Sequence, residues 1–356
     1  MEHDFPTLGK IVGHLLESGE PSIRYKVRVG VLGENPRSKG IRRLREEIRR
    51  SPRARQLLSR RDREGRVEPV RQVYRKWFGA HWVLASLADL GYPPGDKSLR
   101  PVFDQVLACW LGEWTANDVV CQNDDDVRRC KGVPVINGRA RRCGSQQGNA
   151  LYAALTLGVV DDRVHRLAEM LMRWQWPDGG WNCDRKPAAH ISSFHESILP
   201  LRALSLYART TGSRKAARAA TRAAELFLSR RLFKRRRDGS IINPDFALLH
   251  YPCYWHYDVL MGLKVMAEAG FIRDPRCGDA LDLLESLQLP GGGWAAGGSF
   301  CRGTNVRVSN SDLVSWGPGG KTKMNEWVTA DALVVLKAAG RLKFSKGWKK
   351  QAQVFQ

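Results

Sequence analysis

Five ionisable side chains occupy positions from which protons can be moved. His195-Glu196 and His256-Tyr257-Asp258 each set an imidazole beside a carboxylate at the start of an apolar run with helical period, and Asp184 follows in the loop Asn182-Cys183-Asp184 upstream. An imidazole and a carboxylate in reach of one substrate do general acid and base work. A helix N-terminus favours the carboxylate and lowers the imidazole pKa. Asp184, His195 and Glu196 are therefore expected to form one proton-transfer cluster, and His256 with Asp258 a second. N-capping and ordinary hydrogen bonding are the competing roles for each.

A second set of residues recurs at similar positions. His81 with Trp82, Gln147 with Asn149, and Glu326 with Trp327 open other apolar runs, while Trp181, Cys183, Trp255 and Tyr257 flank the ionisable pairs. These ten are expected to line a substrate cavity. Aromatic faces there would stabilise a cation by ~0.5–2 kcal/mol each. The same rings at helical spacing equally well fill a core. Asp124-Asp125-Asp126 looks like a divalent-ion site but reads as a solvated turn before Arg128 and Arg129.

The elements that must position these residues form a weak internal repeat. HWVLASLADLG from His81, SQQGNALYAALTLG from Ser145, SFHESILPLRALSLYA from Ser193, YWHYDVLMGLKVMAEAG from Tyr254 and NEWVTADALVVLKAAG from Asn325 share one grammar: polar or aromatic residues, then Leu, Ala and Val at helical period. Gly91, Gly270 and Gly340 read as C-caps. Second helices lie between, from Val164, Lys215 and Cys277. Strictly alternating β-branched runs are nearly absent, which predicts an all-α fold. Helix pairs of this kind stack into an open solenoid or close into a ring. Chemistry-bearing residues at the same end of one helix per pair favour the ring, which gathers them at one mouth.

The 356 residues carry 58 Lys and Arg against 36 Asp and Glu, a net charge of +22. Such a balance favours anionic partners. Ile41–Lys76 is dense in Arg and is expected to form surface helices, a solvated face that can also touch an anionic membrane. Nucleic-acid signatures are not visible, so a nucleic-acid partner is not favoured. No window reaches the length of a membrane span and the start lacks a basic leader, which predicts a cytoplasmic protein able to sit at the membrane periphery, with its eight cysteines reduced. The expected organisation is a basic helical extension over 1–75, a helical domain over 76–342 and a basic tail over 343–356.

Gln175-Trp176-Pro177-Asp178-Gly179-Gly180-Trp181, with a degenerate copy at Gln288-Leu289-Pro290-Gly291-Gly292-Gly293-Trp294, resembles the Q-x-x-D-G-G-W repeat of the squalene-hopene and oxidosqualene cyclases, whose superfamily includes the protein prenyltransferase β-subunits. Over roughly residues 75–340 the resemblance implies an α/α toroid with an apolar cavity, hence an enzyme acting on an isoprenoid or other apolar small molecule by acid-initiated cyclisation or rearrangement, without a cofactor. The cyclases' D-x-D-D-T-A box falls on Ser193-Phe194-His195-Glu196-Ser197, so the proton donor would have to be His195 or Glu196. The prenyltransferase branch implies zinc instead. His256 matches its ligand by position, but Ala189-His190-Ile191 replaces its Asp-x-Cys, leaving Cys183, His195 and His256 as the alternative ligand set. A non-catalytic lipid or nucleic-acid binder is the third reading.

Overall fold

Apolar residues at helical period, closed by polar caps at one end and glycine at the other, set most of the structure. The computed structural model describes residues 5–342, and the expected basic tail with Trp348 lies outside them. It contains fifteen α-helices and a small sheet among the described residues, an essentially helical protein. The helices are α1 (Phe5–Leu16), α2 (Pro21–Lys26), α3 (Lys39–Arg50), α4 (Pro52–Leu57), α5 (Ala80–Leu90), α6 (Arg100–Trp110), α7 (Glu113–Ala116) and α8 (Asp124–Arg129). They continue as α9 (Gly144–Thr156), α10 (Asp162–Trp174), α11 (Phe194–Thr211), α12 (Arg214–Leu228), α13 (Val259–Ala269), α14 (Gly278–Ser286) and α15 (Glu326–Ala338). Gly91 and Gly270 end α5 and α13 in the left-handed region, at φ 78° and 86°.

The five apolar helices that the repeat predicts pack in chain order: α5 on α9, α9 on α11, α11 on α13 and α13 on α15. α15 then packs on α2 and the π-helical turn Val27–Val31 that continues it. From α2, Lys26 reaches Asp89 near the end of α5. α6, α10, α12 and α14 pack against these helices as their partners in the pairs. Ile11, Ile23 and Val27 share one continuous core with Leu199, Val265 and Leu333, so no packing gap falls at residue 75. α3 turns Ile41, Leu44 and Ile48 inward and Arg42, Arg43, Arg49 and Arg50 outward, while Arg45 lies over the Tyr25 ring.

The two glycine-rich turns are the same joint built twice. Trp181 Nε1 donates to Leu171 O at 2.9 Å and Trp294 Nε1 to Leu284 O at 2.7 Å; the amide of each Trp donates to the hydroxyl of the following long helix, Ser197 or Thr329, at 2.9 Å. Gln175 Nε2 donates to Gly179 O and to Ala219 O of α12, tying the turn to that helix. A Cβ on Gly179 would lie 2.3 Å from Arg222 O, which is why glycine stands there.

The sequence reading contained no strands, yet β1 (Asp118–Val120), β2 (Val133–Ile136) and β3 (Arg139–Ala140) make a three-stranded sheet, β1 parallel and β3 antiparallel to β2. Asn137-Gly138 turns β2 into β3 with both residues at positive φ, the two-residue hairpin that Asn-Gly favours. Asp124-Asp125-Asp126 opens the exposed helix α8 rather than a turn, capped by Asn123.

Candidate functional site

The N-terminal ends of α5, α9, α11 and α13 meet in a nest of rings. Tyr254 stacks flat on Trp77 at 3.9 Å, and Trp82 meets both edge-on. Edge-on to Trp77 at 5.8 Å, His256 lies between Trp255 at 3.8 Å and Phe300 at 3.5 Å, with His195 6.1 Å away. His195 is half-buried, and its Nδ1 and the indole N–H of Trp255 are buried with no partner. Unpaired polar atoms next to apolar rings cost free energy unless something else meets them.

Burial sets the protonation of these groups. It lowers the imidazoles of His81 and His256 to about 3, so both are neutral at physiological pH. Trp110 Nε1 donates to His81 Nδ1 at 3.0 Å, which leaves the ring proton on Nε2 beside Asn149. Asp312 goes the other way. It is fully buried, and burial raises its pKa against the opposing bonds from Trp316 Nε1 at 2.8 Å and Tyr254 OH at 2.5 Å. A raised carboxyl and a lowered imidazole therefore flank the Trp77–Tyr254 stack.

The expected cluster of Asp184, His195 and Glu196 is not brought together. Asp184 is exposed and accepts from Lys186 N in its own loop. Glu196 is buried and accepts from Ser145 N at 3.1 Å and Ser145 Oγ at 2.7 Å, while Cys183 Sγ approaches its other oxygen at 3.5 Å. Nor do Cys183, His195 and His256 form a ligand set. Among the described residues the one group able to surround a metal ion is Cys143, Cys183 and Glu196, whose donor atoms lie within 4.8 Å of one another. The hydrogen bond with Cys143, burial and the charge of Glu196 all raise the Cys183 thiol far above its usual value. All eight cysteines are free thiols.

Asp258 caps α13 and takes four donors: Met261 N and His250 N at 2.7 Å, His250 Nδ1 at 3.2 Å and Cys253 Sγ at 3.4 Å. Its pairing is with His250, not with His256. Trp181 and Tyr257 are fully buried joints, the latter donating to Leu232 O. Gln147 accepts from Arg142 at 3.3 Å. Glu326 faces the N-terminal segment, taking Ser18 Oγ at 2.8 Å, and Trp327 stacks on Tyr251. Trp82 and Asn149 do line a cavity.

That cavity, of about 70 Å³, runs below the rings between Trp82, Tyr254, Leu199 and Trp316. Its floor is charged. Asp89 pairs with Lys26, Lys264 and Arg202, Asp331 with Lys26 and Lys264, and Glu268 with Arg202, three acids against three bases from α2, α5, α11, α13 and α15. Burial opposes ionisation of Asp89, but its three cations outweigh it and hold the carboxyl well below its usual range. Tyr251 OH donates to Asp89 as well. A second cavity, of about 260 Å³, shares Tyr251 and Trp316 as walls and is otherwise made by the loops over 296–319 and by Asn325.

Sequence reasoning missed Trp77, Tyr254, Phe300, Asp312 and Cys143. Cys143 immediately precedes α9, the position where the repeat puts polar residues in the other pairs, so that grammar pointed to it. Asp312 lies in a loop with no pattern to find it. No helix of the described residues is long and apolar enough to cross a membrane. Comparison with known proteins finds neither a matching family model nor a matching curated protein, so function rests on the geometry of the site.

Proposed function

We propose that the chain is an α/α toroid enzyme that moves protons on an isoprenoid or similarly apolar substrate held at the mouth of the ring. The toroid reading is supported by the succession α5, α9, α11, α13, α15 and α2, each packed on the next, with the Lys26–Asp89 pair returning from α2 to α5. Its inner helices start at one mouth. The observation that carries the chemistry is the pair of opposed environments around Trp77: Asp312, its pKa raised by burial, bonded to Tyr254, and His256, its pKa lowered by burial beside Phe300.

Two titratable groups pushed apart in this way divide acid from base. Asp312 supplies a proton through the Tyr254 hydroxyl, and His256 removes one from the cation that results. The rings of Trp77, Trp82 and Trp255 stabilise positive charge between them. A buried carboxylic acid with raised pKa is a weak acid, which selects an activated group such as an epoxide or allylic alcohol over a plain alkene. The cavity of about 70 Å³ is far below the ~300–1,000 Å³ of sites that enclose a whole ligand, so it accepts one end of the chain while the remainder lies across the mouth.

The test is turnover of isoprenoid alcohols and epoxides in D2O, followed by mass spectrometry. The expected product is cyclised or rearranged and carries no deuterium on carbon, because the solvent proton goes to oxygen and His256 takes one from carbon, and Asp312→Asn and His256→Gln each lower kcat about 100-fold or more. Deuterium on carbon, or a rate that Asp312→Asn leaves unchanged, overturns the assignment.

A further inference from the structure

We propose that Cys143, Cys183 and Glu196 form a binding site for one zinc ion with an open fourth position. The ligands come from three places that the fold pins together. Cys143 precedes α9 without capping it, Cys183 follows the Gly179-Gly180-Trp181 turn, and Glu196 lies in the first turn of α11. Gly144 makes their meeting possible: a Cβ there would fall 2.9 Å from the Trp181 ring and 3.1 Å from Glu196 O. Any larger residue at 144 would push Cys143 away from the other two.

Distances and charge both fit. Tetrahedral zinc, with Zn–S near 2.3 Å and Zn–O near 2.0 Å, spaces its ligands about 3.5–3.8 Å apart. Cys183 Sγ and Glu196 Oε1 are already 3.5 Å apart, and all three donors lie within 4.8 Å. Two thiolates and a carboxylate carry three negative charges. Zinc and the adjacent half-buried Arg142, whose guanidinium feels Cys143, Glu196 and Cys183, balance them. Sulfur donors select zinc over magnesium or calcium.

Three protein ligands leave one position for water or a substrate atom, the arrangement of catalytic rather than structural zinc. The surroundings suit a ligand there. Tyr74 feels the charges of Glu196 and Cys143 and packs on His81, Trp82 and Trp110, linking the group to the rings of the mouth. Gln146, in the first turn of α9, has a buried amide oxygen without a partner. The site stands whether or not Asp312 and His256 act as an acid and base pair.

The experiment is titration of the reduced full-length protein with cobalt(II) and zinc, read by absorption spectroscopy and by native mass spectrometry after gel filtration. One equivalent of cobalt with thiolate-to-metal charge transfer in the near ultraviolet and intense tetrahedral bands in the visible is expected, displaced by zinc. Cys183→Ser and Cys143→Ser should each weaken binding at least tenfold and reduce the charge-transfer band, while Cys277→Ser does neither. If a variant fails to fold, the wild-type spectrum still decides. Cobalt bound without thiolate charge transfer, or retained in full by Cys143→Ser/Cys183→Ser, overturns the site.

Discussion

Two thiol and carboxylate pairs stand at the starts of successive long helices and differ in what remains free. Asp258 accepts four bonds at α13, Cys253 among them, and neither carboxylate oxygen lacks a donor. Glu196 at α11 accepts from Ser145 and Cys183, yet a second thiol and the half-buried Arg142 guanidinium crowd the same space, with an unpaired amide oxygen nearby. A saturated carboxylate holds a fold together; an incompletely matched set of donors has capacity for a ligand. Sequence alone gives the two the same appearance, an acid near a cysteine and a histidine.

The comparison extends to the charged floor, which is also saturated, and breaking it should give the largest effect. Lys264→Met strips Asp89 and Asp331 of a shared partner and is expected to cost about 3–5 kcal/mol in urea denaturation. A loss below about 1 kcal/mol would show the floor to be hydrated instead. Asp258→Ala removes a cap and orphans His250 N–H, at about 2–3 kcal/mol. Glu196→Gln should cost about 1 kcal/mol or less in stability but at least tenfold in zinc affinity, a reversal of the Asp258 pattern. Equal stability losses at the two positions would erase the distinction between them.

His81 sharpens the contrast through pH. Its folded pKa is depressed to about 3 from 6.5, so its contribution to stability is present above pH 6.5 and is lost as pH falls toward 3. His81→Gln keeps an acceptor for Trp110 Nε1 but does not titrate, and the acid limb of stability against pH should become shallower. An unchanged limb would mean that the imidazole is hydrated when folded. The smallest effect belongs to the exposed Arg128–Asp125 pair on α8, where Arg128→Ala should change stability by less than ~0.5 kcal/mol.

The helices were legible because their signals are local. Apolar period, Asp258 and Asn325 caps and the glycines at 91 and 270 each act within a turn of their own position. The glycine-rich turns were legible for the same reason, although Trp181, expected to line a cavity, closes a joint instead. Asn137-Gly138 was an equally local hairpin signal that the strong helical pattern around it obscured. The floor left a weaker trace: Lys264 and Asp331 are single charges within buried apolar runs, but their sum to neutrality depends on five helices meeting. Cys143 and Glu196 are brought together by the absence of a side chain at Gly144, and Asp312 by an irregular loop, neither of which spacing can express.

The claim that the ringed mouth receives the substrate is tested most directly by photolabelling with a diazirine-bearing isoprenoid alcohol and mapping the labelled peptides by mass spectrometry. The account predicts labels on the segments around Trp77, Trp82 and Tyr254–His256, suppressed by unlabelled isoprenoid. Labels confined to the Arg-rich face of α3, or unaffected by competitor, would contradict it.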